Sequence, residues 1–205
     1  HLYAEGELRF TAAGRDVRLA VRTDYPWTET VAIEVRPAQP TEFTLRLRIP
    51  GWCRGATVAV NGQLTSLAAE DGYVALRRTW TAGDTIELTF PMPIERVYAD
   101  PRVAPVAGRV ALQRGPVVYC LEEPDHGDNL AAVALPRDAK LTARTDPGLL
   151  GGCVVIEGQG RRTQRSAQLY QASTPATVPQ ALRAIPYALW ANRGEGEMRV
   201  WINES

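Results

Sequence analysis

Apolar and polar residues alternate along most of the chain with a period of two. In the segment 43–49 (FTLRLRI), for example, four apolar side chains share one face, and threonine and arginine occupy the other. This alternation is typical of a β-strand with one buried and one solvated face. It predicts strands at residues 16–22, 31–35, 43–49, 57–60, 73–76, 85–90, 109–112 and 117–121, and others at 130–135, 140–145, 154–157, 184–191 and 197–202.

Turn-forming residues separate the predicted strands, and no segment shows sustained helical periodicity. The strongest turn is Asn61-Gly62, which follows a TVAV strand, because both residue types tolerate a positive φ. Residues 91–93 (PMP) break the pattern, and residues 173–179 (STPATVP) are a predicted loop. The sequence therefore predicts an all-β fold.

A change to proline and small residues around residues 100–105 (DPRVAP) suggests a boundary within the chain. A length of 205 residues accommodates one large β domain or two smaller ones. We therefore expect two antiparallel β-sandwich domains of jelly-roll-like form, the first over residues 1–103 and the second over residues 104–185.

Composition and charge exclude several classes of function. Hydrophobic residues make up 45% of the chain and charged residues 22%, which are ordinary values for a folded globular protein. The 23 basic and 23 acidic side chains give a net charge of zero, which argues against a nucleic acid or a membrane as the main partner. No apolar run is long enough to predict a membrane-spanning helix.

Three cysteines, Cys53, Cys120 and Cys153, are widely spaced along the chain. A disulfide framework favours an even and denser set, and a zinc site favours pairs at CxxC or HxxxH spacing. Each cysteine is therefore interpreted as a buried thiol.

Two groups of carboxylates are catalytic candidates by residue type. Glu122 and Glu123 are adjacent, but neighbours on a strand face opposite ways, so they are interpreted as solvated charges at a strand end. The loop 125–128 (DHGD) combines His126 with two carboxylates. It could bind a metal ion, or it could be a polar surface loop without a ligand. The surface loop is favoured because the spacing matches no known metal motif. His126 could serve as the base of a serine hydrolase, but the chain has no GxSxG element to supply the nucleophile. No catalytic centre is therefore predicted.

Aromatic residues are the remaining candidates for a binding function. The chain has five tryptophans, which could stack on sugar rings, fill the core or dock against a neighbouring domain. On the last predicted strand Trp201 lies on the face opposite the apolar residues, so it is predicted to point outward. Tyr3, Trp27 and Trp52 lie near turns or the entry strand and are predicted to form a docking surface. The competing interpretation places these three in the core of the first domain.

Several stretches, in order along nearly the whole chain, carry a family resemblance. They are 23–27 (TDYPW), 47–52 (LRIPGW), 60–62 (VNG), 72–92 (GYVALRRTWTAGDTIELTFPM), 108–123 (GRVALQRGPVVYCLEE) and 185–201 (IPYALWANRGEGEMRVW). In these stretches the chain resembles the C-terminal region of glycoside hydrolase family 127, the β-L-arabinofuranosidase family. Members of that family carry an (α/α)6 catalytic barrel followed by β-sandwich domains, and residues 1–3 (HLY) resemble the segment that leaves the barrel.

The resemblance implies that the catalytic residues lie outside this chain. The family's nucleophilic cysteine, its acid/base glutamate and its zinc ligands belong to the barrel, which no segment of this chain matches. We therefore expect no catalytic residue and no cofactor in this chain, with zinc expected only in the barrel. The resemblance also suggests an interleaved order, in which strands of residues 186–205 return to complete the first sandwich.

Three functions are consistent with these observations. The leading hypothesis is a non-catalytic module that packs on the missing barrel, with a homodimer contact as a further option. The alternative is a carbohydrate-binding module that presents Tyr3, Trp27, Trp52 or Trp201 to a glycan. The third, an independent hydrolase, is not expected. The cellular location stays open, with the cytoplasm slightly favoured over secretion.

Overall fold

The computed structural model of the protein describes residues 3–205 and confirms the all-β class. Almost all regular structure in this part of the chain is β-strand, with one short α-helix and three 3-10 helices. None of the described helices has the length and apolar character needed to cross a membrane. His1 and Leu2, which begin the segment compared with the barrel exit, lie outside the described residues. The chain divides into two compact units, His1–Met92 and Pro93–Ser205.

The first unit contains nine strands that form two antiparallel sheets. The strands are β1 (Gly6–Ala12), β2 (Arg15–Arg22), β3 (Thr30–Pro37), β4 (Thr41–Arg48), β5 (Thr57–Val60), β6 (Gln63–Leu64), β7 (Ala69–Glu70), β8 (Tyr73–Trp80) and β9 (Asp84–Thr89). The larger sheet has the order β1-β2-β3-β9-β5-β6, and the smaller has the order β4-β8-β7. Asn61 and Gly62 adopt positive φ in the predicted turn between β5 and β6.

The core of the first unit lies between the inner faces of its two sheets. Strand β3 shows the underlying pattern, because Val31, Ile33 and Val35 are buried and their neighbours are more exposed. Trp80 and Phe90 are the largest fully buried side chains of this unit. The indole nitrogen of Trp80 donates a hydrogen bond of 3.1 Å to the carbonyl oxygen of Phe43, which satisfies its only donor inside the core.

The second unit contains nine further strands and the short helices. The strands are β10 (Ile94–Val97), β11 (Arg109–Arg114), β12 (Val117–Glu122), β13 (Val133–Leu135), β14 (Leu141–Asp146), β15 (Cys153–Thr163), β16 (Thr177–Pro186), β17 (Met198–Arg199) and β18 (Ile202–Glu204). Helix α1 spans Glu123–His126, and 3-10 helices span Ala104–Val106, Leu130–Ala132 and Tyr187–Leu189.

Hydrogen bonds connect all nine strands of the second unit into one sheet. The pairings β11–β18, β18–β13, β13–β15, β15–β16, β16–β12 and β12–β11 form a closed circuit. All pairings in this sheet are antiparallel except the one between β13 and β18. The circuit surrounds a core that includes Tyr119, Leu121, Leu130, Ile156 and Ile202.

Two expectations about organisation differ from the structure. The division falls at Met92, ahead of the expected boundary at residues 100–105, because β10 already pairs with β11 of the second unit. The strands of residues 186–205 do not return to the first unit. Instead, β17 pairs with β12, and β18 pairs with β11 and β13, so each unit completes its sheets from its own segment.

Candidate functional site

A group of buried and half-buried ionisable residues lies where β12 ends and α1 begins. We define the charged cluster as Glu122, Asp125, His126, Arg183 and Arg193. Glu122 and His126 are only 4% and 6% exposed. Pro124 in the first turn of α1 fixes a backbone angle suited to a helix start, so the chain turns at once and carries Asp125 and His126 back toward β12 and β16. Carboxylates beside a histidine are the residue types that general acid–base catalysis uses.

Arg193 binds both carboxylates of the charged cluster. Its guanidinium donates to Glu122 Oε2 at 3.0 Å from Nε and 2.5 Å from Nη2, and to the two oxygens of Asp125 at 3.0 and 2.5 Å. The other oxygen of Glu122 accepts the backbone N–H of Ala191 at 2.8 Å. These hydrogen bonds to Asp125 and Glu122 raise the pKa of Arg193. The site therefore fixes the 187–197 segment to β12 and leaves no carboxylate oxygen free for substrate.

His126 is held as a neutral imidazole by two hydrogen bonds of opposite sense. Its Nδ1 lies 2.7 Å from the carbonyl oxygen of Glu122, which can only accept, so Nδ1 carries the proton. Its Nε2 accepts the backbone N–H of Arg183 at 3.1 Å. Burial lowers the pKa of His126 below its usual value because the charged imidazolium would lose its hydration. To exchange a proton with a substrate, His126 would need one of its two ring nitrogens to be free. Both nitrogens are already hydrogen-bonded to backbone groups of this chain.

Three carboxylates next to the charged cluster, those of Glu123, Asp146 and Glu197, also hold neighbouring segments of the second unit together. Asp146 pairs with the Arg183 guanidinium, and the Glu123 carboxylate accepts the backbone N–H of Glu197 at 2.8 Å. The Glu197 carboxylate in turn accepts the N–H of Leu130 at 2.7 Å. Glu122, the last residue of β12, and Glu123, the first residue of α1, thus bind different partners. The expectation that both are solvated was wrong for Glu122, and the expectation of a polar surface loop was wrong for His126.

Neither metal binding nor thiol chemistry finds a site in the described residues. No group of three or more His, Cys, Asp or Glu side chains within residues 3–205 is arranged to hold a metal ion. The three cysteines form no disulfide, and Cys120 and Cys153 are buried as predicted, whereas Cys53 is half-buried. Burial raises the pKa of the Cys120 thiol to about 12 and also raises the pKa of Cys53. A nucleophilic cysteine requires a lowered pKa, and burial shifts the pKa of these two thiols in the opposite direction.

Tyr3 and Trp52 belong to one aromatic group in the first unit. We define the aromatic cluster as Tyr3, Tyr25, Trp52 and Phe90. The rings of Tyr3, Tyr25 and Trp52 lie 5.3, 6.2 and 6.3 Å from the ring of Phe90, measured between centroids. Phe90 is fully buried and the other three are half-buried. The hydroxyl of Tyr3 donates to the carbonyl oxygen of Arg48 at 2.7 Å. These rings therefore close one end of the core and also keep an accessible side.

Trp27 and Trp201, the other predicted site residues, are not among the four residues that define this cluster. Trp27 is half-buried in the turn that follows β2. Trp201 lies in the second unit, at a bend between β17 and β18, and is also half-buried. Trp190 is the more exposed tryptophan of that unit, at 40%, and its near neighbour Tyr187 is 43% exposed. Sequence reasoning did not single out these two residues, because nothing in the local pattern showed that a 3-10 helix would turn them outward.

Two family models match consecutive parts of this chain. The model of the GH127 middle domain of β-L-arabinofuranosidases matches residues 1–92, and the model of the glycoside hydrolase family 127 C-terminal domain matches residues 94–203. The chain therefore consists of two β-rich domains of a glycoside hydrolase family. It belongs to glycoside hydrolase family 127.

Individual relatives agree with this assignment. A non-reducing end β-L-arabinofuranosidase from Bifidobacterium longum subsp. longum is 41% identical over an alignment of 196 residues, and the match covers 88% of this chain and 29% of that protein. A crystal structure of a GH127 β-L-arabinofuranosidase from Geobacillus stearothermophilus T6 has a TM-score of 0.95 and 51% identity, and covers all of this chain and 33% of that one. A second solved GH127 β-arabinofuranosidase gives a TM-score of 0.90 at 32% identity, with 34% of its chain covered. This chain spans about a third of the length of these relatives.

Proposed function

We propose that this chain is a non-catalytic part of a β-L-arabinofuranosidase-like glycoside hydrolase and that it packs on an (α/α)6 catalytic barrel. In this proposal the barrel supplies the reacting residues and any zinc. The β units support the barrel, and they also provide a homodimer contact. The barrel and a second copy are the partners of this chain.

The ion pairs that Glu122 and Asp125 form with Arg193 are the observation that supports a non-catalytic role. Paired acids that hydrolyse a glycosidic bond must face a common cleft, with room for a sugar and a water molecule. In the charged cluster, Arg193 bridges Glu122 and Asp125 directly, and the two carboxylate side chains are only 5% and 11% exposed. A substrate would have to displace this arginine before it could reach either acid. The arrangement therefore stabilises a fold and offers no reaction site.

The aromatic residues support a packing role. Tyr3 and Trp52 contact the core from one side, but neither is buried within this chain. Trp27 likewise keeps part of its ring accessible. Large aromatic groups that remain half-exposed at the end of a sandwich are natural contacts for an adjoining domain. Full burial of all three within this chain would have excluded the docking surface, and that outcome is not observed.

The test compares this chain with a longer protein that includes the segment encoded upstream of His1. We expect the longer protein to release the aryl group from an aryl β-L-arabinofuranoside and this chain to release none. Acrylamide quenching of tryptophan fluorescence, assigned with Trp27→Phe and Trp52→Phe variants, should be weaker in the longer protein. Turnover by this chain alone, or equal quenching of both proteins, would overturn the proposal.

A second candidate function is glycan binding by exposed aromatic side chains. Tyr187 and Trp190 favour it because they lie close together in sequence and are both well exposed in the second unit. Trp201 is the residue that the sequence suggested for this role. Stacking of a sugar on such rings would need no catalytic residue.

Titration of this chain with arabinan and with hydroxyproline-linked arabinosides tests the glycan candidate. Saturable binding that is lost in Trp190→Ala or Trp201→Ala would establish it. The fully buried Trp80 offers no ring to a glycan, so Trp80→Phe serves as a control that alters a tryptophan without altering the surface. Absence of saturable binding would leave packing on the barrel as the function of these units.

A further inference from the structure

A small cavity lies at one end of the second unit, where β18 runs between β11 and β13. Its volume is about 350 Å³, which is typical of the smaller cavities that hold a ligand. Arg109 begins β11 opposite Asn203 of β18, and Glu204 is the next residue of β18. Arg137 lies two residues beyond β13, and its backbone N–H donates to the carbonyl oxygen of Ser205 at 2.9 Å. The pairing of these strands therefore brings Arg109, Arg137 and Glu204 into the lining of one cavity.

Glu204 is a buried anchor for the polar side chains of this cavity. Its side chain is only 6% exposed. Its Oε1 accepts a hydrogen bond of 2.6 Å from the Tyr98 hydroxyl and lies 3.6 Å from Arg96 Nη1, and its Oε2 lies 2.9 Å from Arg137 Nε. Glu204 thus fixes the positions of Tyr98 and Arg137. The Arg137 side chain is still 80% exposed, so it can donate to a second anion as well.

Positive charge exceeds negative charge around this cavity. Its lining has two carboxylates, those of Asp100 and Glu204, and both already pair with arginine. Counted together with the ion-pair partners of these carboxylates, the arginines number four: Arg96, Arg102, Arg109 and Arg137. Arg109 forms no ion pair anywhere in residues 3–205. Two positive charges are therefore left without a carboxylate, and they attract an anion.

The rest of the lining is mostly apolar. The segment between β10 and β11, which contains the 3-10 helix Ala104–Val106, contributes Pro101, Val103 and Val106. Val103 is 47% exposed and Tyr98 is 56% exposed, so both side chains keep apolar surface that a ligand can cover. A cavity that combines unpaired arginine with apolar surface suits a molecule that has an anionic group on a carbon skeleton.

We propose that this cavity binds the carboxylate of a small organic anion, with Arg109 and Arg137 as the donors. Val103 and the ring of Tyr98 contact the carbon skeleton of the ligand. Arginine matches a carboxylate because its planar guanidinium can donate two parallel hydrogen bonds. The skeleton can be that of an acidic sugar or of an aliphatic hydroxy acid, since the same two arginines hold either. The site requires neither a barrel nor a second copy of the chain.

Isothermal titration calorimetry of this chain at low salt tests the proposal. The probes are galacturonate, malate, neutral galactose and inorganic phosphate. We expect one site with a Kd on the order of 1 mM for galacturonate or malate, which weakens at high salt, and no saturable binding of galactose. The acid that binds more tightly identifies the source as a sugar or an aliphatic acid. Phosphate that binds as tightly as either acid, or the absence of saturable binding by both acids, overturns the proposal.

Variants assign the binding to this cavity. Arg109→Gln should weaken acid binding roughly tenfold or more, because it removes the arginine that has no ion pair. Arg165→Gln is the matched control, since Arg165 is an exposed arginine of the same unit that does not line the cavity.

A second pair of variants differs only in charge. Val103→Asp places a carboxylate in the cavity, where it competes for the arginines, so acid binding should be lost. Val103→Asn has nearly the same shape without the charge, so binding should be largely retained. Thermal unfolding shows whether each variant is folded, and the exposure of Val103 makes both substitutions compatible with the fold. Equal binding by the two Val103 variants, or an Arg109→Gln chain that binds like wild type, overturns the proposal.

Discussion

Replacement of Arg193 by methionine tests the view that the charged cluster is structural. The change keeps an apolar stem of similar length and removes the guanidinium. Glu122 then loses its hydrogen bonds of 3.0 and 2.5 Å, and Asp125 loses those of 3.0 and 2.5 Å. The side chains of Glu122 and Asp125 are only 5% and 11% exposed, so water cannot readily replace the lost donors.

The expected loss is about 3 kcal/mol in the free energy of unfolding of the second unit. Removal of one partner from a buried ion pair typically costs about 3–5 kcal/mol, because the remaining charge stays buried and uncompensated. The lower end applies because Arg183 Nη1 still lies 3.5 Å from Asp125 Oδ1. Glu122→Gln and Asp125→Asn, added together to Arg193→Met, should recover part of the loss, since they remove the uncompensated charges.

Urea denaturation followed by circular dichroism measures the effect, and hydrogen exchange of the β12 amides assigns the transition to the second unit. Arg102→Met is the matched control. Arg102 also donates two hydrogen bonds to one carboxylate, that of Asp100, but its side chain is 89% exposed. We expect this control to leave the transition unchanged. A loss below about 1 kcal/mol for Arg193→Met, or equal effects of the two substitutions, would refute the reasoning.

Three further changes test other parts of the structure. The stability of the second unit should fall as the pH decreases below about 6.5, by up to about 1.4 kcal/mol per pH unit, because the unfolded chain binds a proton that buried His126, with its lowered pKa, excludes. His126→Gln should remove this dependence. Gly160→Ala should cost about 1–3 kcal/mol, because a Cβ there would approach Ala134 O and Leu182 Cδ1 at 2.7 Å. Trp80→Phe should cost about 2 kcal/mol through the void and the lost hydrogen bond.

Equilibrium denaturation over a pH series measures all three changes. An unchanged pH dependence in His126→Gln would show that another group is responsible. For the glycine, Gly148→Ala is the comparison in the same unit, because its Cβ would meet only Asp146 Oδ1 at 3.6 Å. Equal effects at both glycines would contradict the close contact. A Trp80→Phe variant as stable as wild type would show that the core near Phe43 repacks.

Strands with one buried and one exposed face were predictable from sequence. Strand β5 matches its prediction at both ends, and β2, β3, β4 and β9 match within two residues. Strand β1 was missed because almost no residue in it is buried, so there was no long apolar series to find. The loop predicted at residues 173–179 overlaps the start of β16, where Pro179 lies opposite Arg161 within the ladder.

The organisation of the second unit and the charged cluster could not be predicted in the same way. Glu122 and Arg193 are 71 residues apart, and they meet only because β12 pairs with both β16 and β17. Local alternation carries no information about such pairings, and Arg193 lies between the predicted strands 184–191 and 197–202, so nothing in the sequence indicated its contact with Glu122. The unit boundary was misplaced for a related reason, since the pairing of β10 with β11 depends on partners that the pattern does not identify.

The pairing of the last strands has a consequence for the order in which the chain folds during synthesis. The first unit needs no strand beyond β9, so it can reach its final form while the ribosome is still translating the remaining half. The second unit must wait for its final residues, because β18 bridges β11 and β13. A premature stop near residue 195 should therefore release a protein with one finished unit and one that exposes unpaired strand edges, which is a substrate for chaperones and proteases.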